Sequence, residues 1–309
     1  MFFLDPLWAF FYTTLNIKNI SYQTREVTAN SPAEARQERA VMLEDVIYEE
    51  MTVSEISRDK TGCHIQEISK KVIAEISLKI MVNESELVSI LCLNQLQEEL
   101  ALGFLYNEGV INAYSDVENI SFNEKMLAID VKLKDDIVID RRESLRSITS
   151  GCGKCYTYIN PLKQSQYKTV QSEETFSIEA ILSLMRDFLS KSELFKNIGG
   201  VHSVLLYTPE YERLTEDIGR HNCFDKMTGI MLKEDRLDLF NGGIVFVSGR
   251  ISSEIMAKII RIGVPVLVSR STPTTAAVRL AEQHNVTLLG YARENGGFIY
   301  THPERLEGC

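Results

Sequence analysis

The clearest chemical signal in this 309-residue sequence is a closely spaced cysteine pair. Cys152 and Cys155 lie in the stretch SGCGKCY, residues 150–156. Glycines flank the first cysteine, which removes side-chain bulk and permits positive φ, so its thiol is expected on an accessible loop. The lysine between the cysteines favours the thiolate, the form that attacks sulfur or binds metal. The pair therefore indicates reactive sulfur chemistry, with half of a structural zinc site or inert thiols as alternatives.

A second candidate site is basic, although the chain as a whole is acidic. The sequence has 33 Lys and Arg against 43 Asp and Glu, a net charge of −10, which argues against a general nucleic-acid-binding protein. Residues 245–295 nevertheless hold six basic and three acidic residues. Within them, Arg250 and Arg270 stand beside serines where a predicted strand gives way to a helix, an arrangement that can bind phosphates. Neither a P-loop nor a strand-following GxGxxG is present, which disfavours an ordinary ATPase or dehydrogenase.

A third candidate is the charged segment EDIGRHNCFDK, residues 216–226. It spans a predicted strand-to-helix turn, the place where α/β proteins bind ligands. Arg220 and the helix amides would suit an anion, and His221 is interpreted as a ligand-contacting residue. The alternative is a well-capped helix with solvated charges. His202, in GGVHS, is interpreted as a hydrogen-bonded strand histidine.

Zinc deaminases also combine CxxC with an α/β fold, but their pattern is not matched. Their pattern is H-x-E followed by P-C-x-x-C. Here glycine precedes Cys152, and H-x-E occurs at residues 302–304, on the wrong side of the cysteines. We therefore predict no bound metal.

Hydrophobic periodicity predicts the elements that position these residues. Alternating strands and a helix beginning near Asn94 predict a small α+β domain over about 66–140. Four near-continuous apolar runs, separated by helical patterns, then predict a parallel sheet covered on both faces. The apolar runs are residues 199–207, 242–249, 263–269 and 285–291, and a hairpin around 295–297 closes the chain.

The N-terminal segment is predicted to be peripheral. Ser31 and Glu34 form a capping box that predicts an acidic helix to about Glu50. The apolar start lacks the basic residues and unbroken stretch of a signal peptide, and no run is long enough to span a bilayer. The six cysteines are typical of reduced thiols. We therefore expect a soluble, cytoplasmic protein whose first 60 residues are an extension or an overlong start.

Seven motifs together resemble FdhD, the formate dehydrogenase accessory sulfurtransferase family. In chain order they are SGCGKC, GGVHS, EDIGRHNCFDK, SGRISSEIMAKI, GVPVLVSRSTPT, TLLGYAR and YTHPERL, between about Lys71 and Leu306. The resemblance implies an α/β fold, a cytidine-deaminase-like α/β/α layered domain preceded by a smaller α+β subdomain. The expected boundaries are 1–65 for a partly helical or disordered extension, 66–149 for the subdomain, 150–157 for the CxxC loop and 158–309 for the layered domain.

The resemblance also implies a function in sulfur transfer. A cytoplasmic homodimer would accept sulfur from a cysteine desulfurase as a persulfide on Cys152, with Cys155 as its partner. It would pass the sulfur to the molybdenum cofactor, Mo-bis(molybdopterin guanine dinucleotide), before insertion into formate dehydrogenase. The cofactor would be a bound substrate, partly mimicked by a guanine nucleotide, without nucleic acid or membrane as a partner.

The segment that contacts the cofactor in the family falls on the turn YARENG. Its residues are Tyr291, Ala292, Arg293, Glu294, Asn295 and Gly296, and Arg250, Arg270 and His221 are expected to contribute. The alternative function is a non-catalytic cofactor-binding chaperone with a structural CxxC. A nucleotide hydrolase is disfavoured because no catalytic base is evident.

Overall fold

The computed structural model describes residues 47–134 and 168–308, with the backbone of residues 147–148 and 156–157. All of these residues belong to one compact unit, residues 43–309. The N-terminal part contains an antiparallel hairpin, a four-stranded sheet in the order β4-β3-β6-β5, and one helix. Their bounds are β1 Tyr48–Asp59, β2 Gly62–Ile73, β3 Ile76–Val82, β4 Ser85–Cys92, α1 Gln97–Asn107, β5 Val117–Asn123 and β6 Ala128–Leu133.

The C-terminal part is built around a six-stranded sheet in the order β11-β10-β12-β13-β14-β15. Its strands are β10 His202–Thr208, β11 Tyr211–Asp217, β12 Ile244–Val247, β13 Val266–Ser269, β14 Thr287–Arg293 and β15 Gly296–Thr301. The helices are α2 Ile178–Phe188, α3 Glu193–Asn197, α4 Arg220–Lys233, α5 Ser253–Ile262 and α6 Thr275–Gln283. Four two-residue strands complete the described strands, namely β7 Ser147–Ile148, β8 Tyr156–Thr157, and the parallel pair of β9 Phe176–Ser177 with β16 Leu306–Glu307.

The β1–β2 hairpin corrects the expectation for the N-terminal extension. Residues 48–50 were expected to end an acidic helix, but they begin β1 and pair with residues 71–73. β2 also crosses the expected boundary at residue 65. Cross-strand neighbours such as Ile56 and Ile65 stabilise the pairing, an interaction that local acidity does not reveal. The rest of the predicted helix, residues 31–46, lies outside the described residues.

The predicted α+β elements are confirmed in type and order. Leu78, Ile80 and Val82 are buried on one face of β3, as the alternation predicts. The helix begins three residues later than expected, at Gln97, whose side chain donates to the Asn94 side chain at 2.5 Å. Residues 74–75 separate β2 from β3.

The central sheet is mixed rather than parallel. β12, β13 and β14 are parallel, whereas β10, β11 and β15 pair antiparallel with their neighbours. The expectation of an all-parallel sheet failed because burial on both faces, and not strand direction, makes a strand apolar throughout. The final hairpin is confirmed, with Arg293 opposite Gly296.

Two hydrophobic clusters cover the two faces of this sheet. On one face, α2 packs through Ile181, Met185 and Phe188 against alternate strand residues such as Phe246 and Val268. On the other face, α4, α5 and α6 pack against the intervening strand residues. The predicted α/β arrangement is therefore confirmed as a mixed sheet between helices.

Close contact between α1 and α4 joins the α+β part to the central sheet. A Cβ atom on Gly103 would lie 1.7 Å from the carbonyl oxygen of Asp225. A Cβ atom on Gly229 would lie 1.8 Å from the carbonyl oxygen of Glu99. The two helices therefore touch through backbone atoms, and only glycine fits at these two positions.

Candidate functional site

The carboxyl edge, at which β12, β13 and β14 end, brings together two predicted phosphate-binding loops. The Ser269 hydroxyl donates to the carbonyl of Gly249 at 2.8 Å and accepts from the amide of Ser271 at 2.9 Å. The Ile251 amide donates to the carbonyl of Thr272 at 3.1 Å. The loop after β12 is thus fixed to the loop after β13, as expected from adjacent parallel strands.

Each of these loops leads into a capped helix. Ser252 accepts from the amide of Ile255 at the start of α5, and Thr274 accepts from the amide of Ala277 at the start of α6. Pro273 directly precedes the N-cap Thr274. The caps fix both helix N-termini at the carboxyl edge.

Three predicted anion-binding arginines are exposed at this edge. Arg250 follows β12, Arg270 follows β13 and Arg293 ends β14, and all three side chains are exposed. Arg293 also donates to the carbonyl of Arg270 at 2.6 Å, which fixes the end of β14 beside the preceding loop. The edge therefore offers guanidinium groups that solvent and a ligand can reach.

The predicted cofactor-contacting turn lies at the same edge. Tyr291 has a φ of 53° and donates its amide to the Ser271 carbonyl at 3.0 Å, which leaves its ring half exposed against Phe298. Ala292 is buried in the sheet. The carboxylate of Glu294 pairs with Arg186 at 3.2 Å. Asn295 and Gly296 complete the turn, with Asn295 exposed and Gly296 at a φ of 142°.

His202 lies at the carboxyl edge because β10 begins where β12 ends. Its Nδ1 atom is 3.4 Å from the Ser248 hydroxyl, and a Cβ atom on Gly249 would lie 3.2 Å from that same Nδ1. Burial lowers the pKa of His202, and the positive charge of Arg220 lowers it further. The interpretation of His202 as a hydrogen-bonded strand histidine is therefore confirmed. His202 also lies at the carboxyl edge.

His221 lies in the first turn of α4, beside a glutamate that the sequence reasoning did not single out. Its Nε2 atom is 3.0 Å from an oxygen of Glu254, which lies in the first turn of α5. Burial lowers the pKa of His221, against the opposing effect of Glu254. His221 and Glu254 each lie in the first turn of one of two successive helices that begin at the same sheet edge. That shared position is the sequence signal that could have identified the pair.

Most other charges of segment 216–226 are buried in structural contacts. Lys226 pairs with Asp217 at 2.6 Å, and both side chains are fully buried. Asp217 also accepts from the Leu93 amide, and Asn222 donates to the carbonyl of Leu91, so this segment binds the α+β part. These buried structural contacts differ from the predicted ligand-binding cluster. They also differ from the alternative, a capped helix with solvated charges.

Two bases of the stretch 245–295 are also structural. Lys258 binds both oxygens of the buried Asp225, at 2.5 and 2.6 Å. Arg261 donates to the carbonyls of Tyr106 and Ile111. The local excess of positive charge at the carboxyl edge therefore comes from the three exposed arginines rather than from all six bases.

The cysteine pair is bracketed by two short strands whose backbone is described. Ile148 pairs with Tyr156, and Ser147 pairs with Thr157, in antiparallel register. Cys152 is four residues from each member of the first pair, whereas Cys155 directly precedes Tyr156. Both predicted catalytic cysteines lie outside the described residues.

The described cysteines differ in their access to solvent. Cys63 is exposed in the β1–β2 hairpin, and Cys92 and Cys223 are buried. Burial raises the pKa of the Cys223 thiol well above its usual range, and its sulfur contacts the carbonyl of His202 at 3.3 Å. A buried, protonated thiol is a poor nucleophile.

No group of three or more potential metal-binding side chains occurs within 47–134 or 168–308. The H-x-E residues are a local surface pair, since His302 Nδ1 is 3.0 Å from Glu304. Among the helices of the described ranges, none is long and apolar enough to cross a membrane.

Taken together, the fold and the edge define an α/β protein with a basic, hydroxyl-lined sheet edge. Such an edge is suited to binding an anion. The model of the FdhD/NarQ family matches residues 73–307, and the chain belongs to this family.

The relatives share most of their length with this chain. It is 37% identical over 257 residues to "Sulfur carrier protein FdhD" of Bacillus subtilis, covering 82% of this chain and 97% of the relative. It is 38% identical over 242 residues to the protein of that name from Sulfolobus acidocaldarius, covering 76% and 91%. A solved structure described as a formate dehydrogenase accessory protein from Desulfotalea psychrophila is similar in fold. Its TM-score is 0.66 at 23% identity, with 84% of this chain and 99% of that chain covered.

Proposed function

We propose that this protein is a sulfur carrier that holds sulfur as a persulfide on Cys152. The observation that carries the proposal is the match along nearly the full length of relatives named sulfur carrier protein. Cys152 is chosen over Cys155 because it matches the persulfide-bearing cysteine of the family, and glycines flank it on both sides. The buried Cys92 and Cys223 are unsuited to the role.

The proposed loading step is a thiol–persulfide exchange. The Cys152 thiolate attacks the outer sulfur of a cysteine desulfurase persulfide, a new S–S bond forms, and the donor cysteine leaves as a thiolate. The product is Cys152 persulfide. Cys155 then either accepts the outer sulfur in relay or attacks the inner sulfur, which releases hydrosulfide and forms a Cys152–Cys155 disulfide.

The proposed acceptor is the molybdenum cofactor in its bis(guanine dinucleotide) form, bound as a substrate before its insertion into formate dehydrogenase. Its pyrophosphates would bind Arg250, Arg270 and Arg293, whose exposed guanidinium groups fit such anions. The turn 291–296 and His221 would complete the site. A guanine nucleotide would occupy part of it, without a permanently bound metal.

The finer features of the proposal follow from family membership. We propose a cytoplasmic homodimer, with a cysteine desulfurase as donor and formate dehydrogenase as client. The helices on both faces of the central sheet support a cytidine-deaminase-like layering of the C-terminal domain.

Mass spectrometry after incubation with a desulfurase and cysteine tests the carrier role. We expect an added sulfur on a peptide containing Cys152, lost in Cys152→Ser together with cyanolysable sulfur and formate dehydrogenase maturation. Cys63→Ser is the matched control because Cys63 is exposed outside the CxxC loop. Full maturation by the Cys152→Ser protein would refute the assignment. Stoichiometric zinc that is lost in Cys155→Ser would instead favour the non-catalytic chaperone.

A further inference from the structure

The two terminal strands of the central sheet differ in charge. β11, at one end of the strand order, carries Glu212, Arg213 and Glu216, and Glu212 pairs with Lys191. β15, at the other end among the described strands, has the sequence GGFIYT without a charged residue. A terminal strand leaves the backbone N–H and C=O groups of one side available for pairing, and proteins usually protect such an edge with charges. β11 is protected in this way, whereas β15 is not.

β15 also exposes large apolar side chains on both faces of the sheet. Phe298 is 61% exposed, Ile299 44% and Tyr300 37%. Ile299 pairs with Leu289, which belongs to the cluster on the α2 face. Phe298 and Tyr300 therefore point to the opposite face, because side chains alternate along a strand. Three consecutive exposed apolar residues on an uncharged terminal strand indicate a protein-binding surface.

The apolar surface of β15 continues into the turn proposed to contact the cofactor. Gly296 is both the last residue of that turn and the first of β15, and Arg293 pairs with it across the hairpin. The ring of Tyr291 in the turn meets the ring of Phe298 edge to face, with centroids 6.1 Å apart. Paired strands lie about 5 Å apart, so a chain segment laid along β15 would also reach the turn.

We propose that β15 is the docking edge for the client enzyme, which adds an extended segment of its own as a further strand of the sheet. The segment is uncharged and carries apolar side chains on both faces, which cover Ile299 on one face and Phe298 and Tyr300 on the other. In this mode of binding, backbone hydrogen bonds supply affinity and side chains supply specificity. The inference rests on the proposed function, in which the cofactor passes from the carboxyl edge to formate dehydrogenase. It adds the surface through which the two proteins meet.

The position of the turn favours the client over a second copy of this chain as the occupant. Two copies related by a two-fold axis would pair their β15 strands antiparallel. The turn of the second copy would then lie at the far end of β15, roughly 20 Å away along six residues. Such a copy would cover the apolar side chains without contributing to the site. A client docked here lies beside the cofactor that it receives.

Binding of the full-length protein to the client apoenzyme, measured by biolayer interferometry, tests the proposal with Ile299→Lys. A lysine on a terminal strand opposes pairing with a further strand, and Ile299 lies outside the turn 291–296. We expect Ile299→Lys to weaken client binding about 10-fold or more, as for a central interface residue, with the urea midpoint and oligomeric state of the wild type. Ile56→Lys is the matched control because it places the same substitution on an exposed isoleucine of the β1–β2 hairpin. It should bind the client as the wild type does.

Hydrogen exchange measured by mass spectrometry tests the same contact without a substitution. We expect the client to slow the exchange of amides in residues 296–301 and to leave that of β11 unchanged.

The proposal is overturned if the wild type does not bind the client, if Ile299→Lys binds it with wild-type affinity, or if exchange in β15 is unchanged. Equal weakening by Ile56→Lys would also overturn it. Dissociation of a wild-type dimer in Ile299→Lys would overturn it as well, since a second copy would then occupy the edge. Persulfide formation on Cys152 is measured separately and should be intact in Ile299→Lys, so the carrier role and the docking edge fail independently.

Discussion

The contact between α1 and α4 predicts that Gly103→Ala is strongly destabilising. The added Cβ would lie 1.7 Å from the carbonyl oxygen of Asp225, half the 3.4 Å at which ordinary contact begins. The opposing atom belongs to the backbone of a buried helix, so no side-chain rotation relieves the overlap. The helices must separate, which weakens the 2.8 Å bond between Asn107 and Asp225 and the apolar packing on both sides.

The expected cost exceeds that of ordinary overpacking. Extra methylenes in packed cores cost about 1–3 kcal/mol, mostly where side chains can adjust, so we expect at least about 3 kcal/mol here. With a denaturant slope of about 2–3 kcal/mol/M, the midpoint of urea unfolding should fall by about 1 M or more. Circular dichroism measures this midpoint directly.

Gly242→Ala provides the matched control. No atom lies within 4 Å of a Cβ at Gly242, and its φ is not positive, so we expect its midpoint to stay close to that of the wild type. If the urea midpoint of Gly103→Ala equalled that of the wild type, the close backbone contact between α1 and α4 would be refuted.

Three further predictions concern the buried charges and the carboxyl edge. Lys226→Met should lower the free energy of unfolding, measured in urea, by about 3–5 kcal/mol, because it leaves Asp217 buried without its cation. The control Lys233→Met removes a cation from a surface ion pair and should lower the free energy of unfolding by under about 1 kcal/mol. Equal effects would contradict the difference in burial. Because the pKa of His202 is lowered in the folded state, its contribution to stability should be lost as pH falls below its ordinary value of 6.5. His202→Gln should therefore lose less stability than the wild type between pH 7 and 5, and parallel pH curves would refute this. Arg250→Ala should weaken guanosine diphosphate binding about 10-fold in titration, and an unchanged affinity would remove Arg250 from the phosphate site.

Hydrophobic patterning was sufficient to predict most helices and strands, because each depends on local periodicity. Strand direction in the sheet and the β1–β2 hairpin were not predictable in this way, since both depend on partners distant in sequence. The hairpin pairs acidic β1 with β2, and its apolar residues, such as Ile56, are largely exposed.

The loops of the candidate site were predictable from the sequence, but the contacts between its side chains were not. Strand ends and nearby serines were enough to locate Arg250 and Arg270, because chain order at a parallel sheet places such loops side by side. Charge alone could not distinguish the exposed Arg250 from the buried Lys258, since burial depends on the partner Asp225. The pairing of His221 with Glu254 likewise depends on how two helices pack.

The bonds that join the α+β part to the central sheet also constrain the order of folding. The Leu91 carbonyl and the Leu93 amide bind side chains 131 and 124 residues further along the chain. At a synthesis rate of about 5–20 residues per second, the α+β part waits roughly 6–26 s on the ribosome for these partners. During that interval the α1 surface around Gly103 lacks α4. Protection of the nascent chain, by a chaperone or by slow release, is therefore most valuable before α4 emerges.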